Sequence, residues 1–237
     1  MKNQAEHTIW AEKYRPQSFD NYVSNPTLIA TIKQFLSKKD IPHLLFYGTP
    51  GTGKTTLAKL IVANIDCDAL YINASDENNV DNVRTKIKDF ALNTGFSPLK
   101  VVILDEADYL THNSQAALRN IMETYSFATR FILTCNYFEK LAEPIISRCQ
   151  TFEVAPMQKK DVAIHLKNIL TEENVKHTID DIGYIVNTYY PDIRKVLNFA
   201  QQSVVENEIK IAELSSAASN AKYRICLLYT SPSPRDQ

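Results

Sequence analysis

Three of the chain's five glycines, Gly48, Gly51 and Gly53, fall within six residues and run directly into Lys54 and Thr55. The segment Gly48-Thr49-Pro50-Gly51-Thr52-Gly53-Lys54-Thr55, followed by Thr56, matches the phosphate-loop pattern G-x-x-x-x-G-K-[ST]. It lies between an apolar run, His43–Tyr47, and a helical pattern, Lys54–Ile65, which is the context that motif needs. Glycine lets the backbone wrap a phosphate chain with its N–H groups turned inward, and a helix N-terminus adds a favourable dipole. The pattern predicts that Lys54 reaches the β and γ phosphates of a bound nucleotide and that the Thr55 hydroxyl holds Mg²⁺.

A second element completes the chemistry. Val101-Val102-Ile103-Leu104 reads as a strand buried on both faces, and it ends in Asp105-Glu106-Ala107-Asp108. At that carboxyl end Asp105 can hold Mg²⁺ through water, and Glu106 can orient or deprotonate the attacking water. Alone, the acidic tetrapeptide also reads as a solvated turn. Downstream of a phosphate loop it points to nucleotide hydrolysis.

The apolar runs His43–Tyr47, Ala69–Asn73, Lys100–Leu104, Arg130–Thr134 and Thr151–Val154 alternate with helical patterns at Lys54–Ile65, Val80–Asn93 and Ser114–Tyr125. A further helix, Thr27–Ser37, follows an Asn25-Pro26 start signal. The alternation predicts an α/β fold, a five-stranded parallel sheet between helices, over residues 1–156. Beyond Pro156 only helical patterns occur, Lys159–Leu170, Ile179–Thr188 and Ile193–Val205, so residues 157–224 read as a small all-helical lid. The tail Ile225–Gln237, with its Ser-Pro-Ser-Pro core, looks like translated sequencing-adapter read-through and is set aside as non-native.

Composition excludes several classes. At 44% hydrophobic and 22% charged the chain is globular, and 26 Lys+Arg against 27 Asp+Glu rule out a general polyanion coat. Cys67, Cys135, Cys149 and Cys226 show no ligand spacing, which fits a reducing compartment, and the first three read as small buried hydrophobes. The polar start carries no apolar leader, and no run approaches the ~20 apolar residues that a bilayer needs. A soluble cytoplasmic protein without a membrane partner is expected, in the host cytoplasm if phage-encoded and in the nucleus if eukaryotic.

Several short pieces are weak singly: Thr134-Cys135-Asn136 at a strand end, Ser147-Arg148-Cys149, and Pro191-Asp192-Ile193-Arg194 at a helix start. Their order is informative. With Trp10-x-Glu-Lys-Tyr14-Arg15-Pro16, the phosphate loop, Leu104-Asp-Glu-Ala-Asp108 and Gln115-x-x-Leu-Arg119, the succession resembles the AAA+ clamp-loader ATPases, from Trp10 to about Ala212. The resemblance is nearest to the replication factor C small subunit and its tailed-phage counterpart.

That resemblance implies an AAA+ P-loop NTPase with a helical lid, working as the ATP-hydrolysing small subunit of a sliding-clamp loader in DNA replication. Tyr14, Arg15 and Pro16 would border the adenine. Asn136 would be a first sensor, Arg194 a second on the lid, and Arg148 an arginine finger acting in trans on a neighbouring subunit's ATP. Gln115 and Arg119 would link the ATP site to DNA and to the adjacent subunit. Expected partners are other loader subunits in a hetero-pentamer, the sliding clamp and primer–template DNA, with Arg84 and Lys88 as candidate phosphate contacts. Family members usually carry a basic residue after Ser75-Asp76, where this chain has Glu77-Asn78-Asn79. The chain also stops where the family's collar domain begins. Other AAA+ motors, of initiator or Holliday-junction type, are the nearer alternative, and a DEAD-type helicase the more distant one.

Overall fold

The computed structural model describes residues 8–76, 80–93, 95 and 97–211, which form two compact units. Arg15–Met157 make one; the chain up to Tyr14 joins the chain from Gln158 onward in the other.

The larger unit is built on a parallel sheet of β1 (Leu44–Tyr47), β2 (Cys67–Asn73), β3 (Leu99–Asp105), β4 (Thr129–Cys135) and β5 (Gln150–Glu153), in the order β2-β3-β4-β1-β5. Alternation along each strand sends side chains to opposite faces. Leu45, Val102, Leu104, Phe131 and Leu133 meet Val83 and Ile87 of α4 (Val80–Leu92) and Leu118, Ile121 and Met122 of α5 (His112–Thr124). On the other face Leu44, Phe46, Val101, Ile103 and Ile132 meet Leu28 and Ile32 of α2 (Pro26–Ser37) and Leu57, Ala58 and Ile61 of α3 (Lys54–Ala63). The central strands carry unbroken apolar runs, Val101–Leu104 and Phe131–Leu133, because helices cover both faces. A short α6 (Glu143–Ile146) leads into β5.

Local signals set the element ends. Asn25 caps α2 by accepting from the Thr27 N–H at 2.9 Å, with Pro26 in the first turn. Thr111 caps α5 through the Ser114 N–H at 3.2 Å. Lys100 is buried inside the strand, yet its ammonium is satisfied: it donates to the carbonyls of Phe90 and Ala91, each at 2.9 Å, and to that of Asn93. A cation there closes the C-terminus of α4 and opposes its dipole.

The smaller unit holds α7 (Lys159–Glu172), α8 (Ile179–Tyr189) and α9 (Ile193–Gln202), packed through Leu166, Ile169, Ile185, Val186, Val196 and Ala200. Thr178 and Asp181 form a reciprocal capping box on α8, and Asp192 caps α9.

Two expectations need correction here. The short α1 (Trp10–Lys13) belongs with the helical unit, not with the sheet: Trp10 is buried, its backbone N–H donates to Gln201 Oε1 at 2.9 Å, and Gln201 Nε2 donates to the Thr8 carbonyl at 2.6 Å. Nor is this unit all-helical. The helix expected over Ile193–Val205 ends at Gln202, and β6 (Val204–Val205) pairs antiparallel with β7 (Glu208–Ile209). Glu206 and Asn207 both take positive φ, 51° and 60°, the two-residue turn that matches strand twist. The tail Ile225–Gln237, the end of the proposed lid after Ile211, and the Glu77-Asn78-Asn79 loop lie outside the described residues.

Candidate functional site

The phosphate loop joins β1 to α3 and is closed by its own side chains. Gly48 has φ 146°, and a Cβ there would stand 2.7 Å from the Val154 carbonyl oxygen, so only glycine lets the loop pass the end of β5. Gly53 has φ 91° and packs beneath Tyr22, whose hydroxyl donates to the Gly53 carbonyl at 3.3 Å. Thr52 donates to the Thr49 carbonyl at 3.0 Å. The buried Lys54 ammonium donates to the carbonyls of Gly48 at 2.9 Å and Thr49 at 2.8 Å. The N-cap of α3 is Gly53, which has no side chain to cap the helix, and a helix N-terminus there favours an anion.

Asp105 stands beside this loop across the carboxyl edge of the sheet. Its Oδ1 accepts from Thr55 Oγ1 at 2.8 Å and Thr134 Oγ1 at 2.5 Å, and its Oδ2 accepts from the Tyr71 hydroxyl at 2.6 Å. Three donors from β2, β4 and α3 thus orient one carboxylate that is 7% exposed. Burial first, then the bond to Asp105, pushes the Tyr71 phenol well above its usual range, so it stays a donor.

Glu106 follows in the left-handed region, φ 55° and ψ 43°, a conformation costing a residue with a side chain about 1–3 kcal/mol. Its N–H is anchored on Thr134 Oγ1 at 3.1 Å. Asp108 takes a different task from its acidic neighbours: it is buried and accepts from the N–H groups of Asn136 and Tyr137, both at 3.3 Å. That fixes the turn after β4 and leaves Asn136 at the carboxyl end of this strand, next to β3. Pro50, Gly51 and Thr56 lie in the loop and the first turn of α3 as the motif requires.

The remaining candidates are dispersed. Arg84 and Lys88 are exposed one turn apart on α4. Gln115 is buried, donating to the carbonyls of Leu110 at 3.2 Å and Lys140 at 3.0 Å and accepting from the Ala142 N–H at 2.7 Å. Arg119 pairs with Glu123 at 3.6 Å. Arg148 donates to the Pro144 carbonyl at 2.5 Å and to Glu123. It precedes β5, whose Gln150 is in register with Leu44, so Arg148 stands at the amino edge of the sheet. Gly48 leaves β1 at the opposite, carboxyl edge, a strand length or about 13 Å away.

The Tyr14-Arg15-Pro16 run divides between units. Tyr14 belongs to the helical unit, where its hydroxyl donates to Glu173 Oε1 at 2.9 Å; burial and that bond push its phenol up to about 12. Arg15 and Pro16 begin the sheet unit, where the Arg15 charge opposes the upward shift of Tyr71. Arg194 is exposed at the start of α9 in the helical unit.

Sequence reasoning missed Tyr71, Thr134 and Glu123. Thr134 opens the Thr-Cys-Asn tripeptide and was open to detection, whereas Tyr71 sits in an ordinary apolar run that carries no sign of Asp105. The burial that raises Cys67 to about 11 and Cys135 and Cys149 to about 12 suits unreactive packed thiols. No helix among the described residues is long and apolar enough to cross a membrane.

The donors present fit Mg²⁺. Among the described residues no cluster of three or more His, Cys, Asp or Glu could cage a metal. A hydroxyl and one carboxylate beside a phosphate loop are what Mg²⁺ uses, since it takes its other ligands from water and phosphate.

Residues 44–157 match the AAA model, the ATPase family associated with various cellular activities. Over 213 residues the chain is 43% identical to the replication factor C small subunit of Sulfurisphaera tokodaii, covering 87% of this chain and 65% of that protein. It is 41% identical over 220 residues to the replication factor C small subunit 1 of Pyrobaculum islandicum, covering 90% and 67%. The chain spans 65 or 66% of the length of the first curated relatives it matches. In solved structures a Thermotoga maritima RuvB variant superposes with a TM-score of 0.66 at 17% identity, over 80% of this chain and 64% of that one, a likeness of fold alone. The phosphate loop, the strand-end carboxylates and this level of identity place the chain in the replication factor C small-subunit family of AAA ATPases.

Proposed function

We propose that the chain is the ATP-hydrolysing small subunit of a sliding-clamp loader, which opens the clamp and places it on primer–template DNA. The observation that carries the reading is the division of the sheet. The phosphate loop and Asp105 share the carboxyl edge, 2.8 Å apart through Thr55, while Arg148 stands at the amino edge. An arginine so placed serves ATP held by another subunit better than its own.

In this scheme the loop amides and Lys54 bind the β and γ phosphates, and Thr55 and Asp105 hold Mg²⁺, which when bound neutralises phosphate charge. Glu106 takes the proton of the attacking water as its oxygen bonds to the γ phosphorus and the β–γ bridging P–O bond breaks. Asn136 steadies that water or the γ phosphate. Gln115 and Arg119 pass the state of the site along α5. Arg84 and Lys88 contact DNA phosphates, so their loss weakens binding with little regard to sequence.

A Holliday-junction motor is the second reading, favoured by the likeness to a RuvB described as a Holliday junction branch migration motor, with a TM-score of 0.61. The deciding experiment measures ATP turnover of the full-length protein in its complex, with and without a sliding clamp and primed DNA. Stimulation by both together is expected. Turnover indifferent to the clamp but raised by four-way junctions would replace the clamp-loader reading.

A further inference from the structure

Arg148 does not hang free. Of the five guanidinium N–H donors, one on Nη1 is committed to the Pro144 carbonyl and one on Nη2 to the Glu123 carboxylate. The same carboxylate pairs with Arg119 at 3.6 Å, one turn earlier on α5. Two guanidinium groups and one carboxylate leave a net positive cluster, so it still attracts phosphate. The Arg148 side chain is 27% exposed, enough to present its remaining donors outward.

Glu123 also sits on an unusual arm. The helix α5, capped by Thr111 a short turn after the acidic strand end, is fastened to the segment carrying Arg148 at two points. Gln115 grips the Lys140 carbonyl and the Ala142 N–H, and two turns later Glu123 grips Arg148 itself. One rigid helix therefore sets the guanidinium's position relative to Asp105 and Glu106.

We propose that Glu123 is the positioning residue of the arginine finger, holding Arg148 with its free N–H groups directed at the γ phosphate of a neighbouring subunit's ATP. A long side chain already fixed loses less freedom when the neighbour docks, and transition-state charge is best met by donors already in place. The proposal rests on the trans reading of Arg148, and the test separates the two.

The test compares Glu123→Gln, Arg148→Ala and the double variant in the full-length protein, assembled into its complex. Glu123→Gln keeps the size of the side chain, and its site is half exposed. It is expected to lower kcat about ten- to a hundredfold, with the KM for ATP unchanged. A fluorescent ATP analogue should bind the single variant as it binds wild type, which separates this effect from misfolding. The double variant should turn over no more slowly than Arg148→Ala alone, because Glu123 acts through Arg148. Glu123→Asp, which keeps the charge, should recover part of the loss. Unchanged or faster turnover by Glu123→Gln, or additive losses in the double variant, would overturn the positioning role while Arg148→Ala stays slow. Wild-type turnover by Arg148→Ala would instead remove the finger reading on which it rests.

Discussion

At the scale of single residues the proposed scheme divides binding from chemistry. Lys54 faces the loop carbonyls at 2.8–2.9 Å, where it would meet ground-state phosphates, so Lys54→Ala should abolish ATP binding. In the proposed scheme Glu106 acts on the attacking water rather than on the nucleotide, so Glu106→Gln should bind ATP normally and lose at least about a hundredfold in turnover. Equilibrium binding of a fluorescent ATP analogue reads both, and an affinity of Glu106→Gln as poor as that of Lys54→Ala would dissolve the distinction. Gly48→Ala should lower stability by about 1–3 kcal/mol, since its φ of 146° and the Val154 carbonyl leave no place for a methyl group. Thermal unfolding measures it, and an unchanged Tm would show that the loop can move aside. The glycines, Lys54, Thr55, Asp105 and Glu106 were legible because their pattern is contiguous. Thr134 stood in a tripeptide that could be noticed, but Tyr71 was not legible: it reaches Asp105 from another strand, across 34 residues of chain.

At the scale of elements, His43 ties β1 to β4 and gives the fold a titratable joint. Its Nδ1 accepts from the Phe131 N–H at 3.2 Å, and burial, with the Arg130 charge as the lesser cause, lowers it from 6.5 to about 4. Between those values the unfolded chain binds the proton and the folded chain does not, so stability rises with pH there. It is complete above about pH 6.5 and is lost progressively as pH falls through 4. His165, in the helical unit, shifts the same way by burial. Plots of Tm against pH should therefore descend less steeply below pH 6.5 for His43→Gln than for wild type; parallel curves would remove His43 as the cause. Helix starts were legible where a cap stood at the boundary, as at Asn25-Pro26, but not at α5, which Thr111 caps and which begins at His112 rather than the expected Ser114. The β6–β7 turn was not, because Glu206-Asn207 lacks the glycine that usually announces it. Nor was Lys100, whose place in a buried strand makes sense only once α4 brings its carbonyls above it.

At the scale of the whole molecule, the opposite-edge placement of Arg148 yields a complementation test. Arg148→Ala and Lys54→Ala subunits should each form complexes of low turnover. Mixed, they should partly recover, because some interfaces then pair an intact phosphate loop with an intact finger from the neighbour. An arginine serving its own ATP leaves every mixture inactive, so no recovery in a mixture shown to assemble would count against the trans role. Hydrophobic periodicity and glycine spacing alone were enough for the alternation of strands and helices, the parallel sheet and the phosphate loop, because local sterics and the burial of one repeating face dictate them. The order β2-β3-β4-β1-β5, the three-donor grip on Asp105, the attachment of Trp10 to α9 and the Glu123–Arg148 pair came only from the tertiary structure. Each depends on which distant segments pack side by side, a choice made by summed burial and pairing over the whole chain that leaves no trace in any short stretch of it.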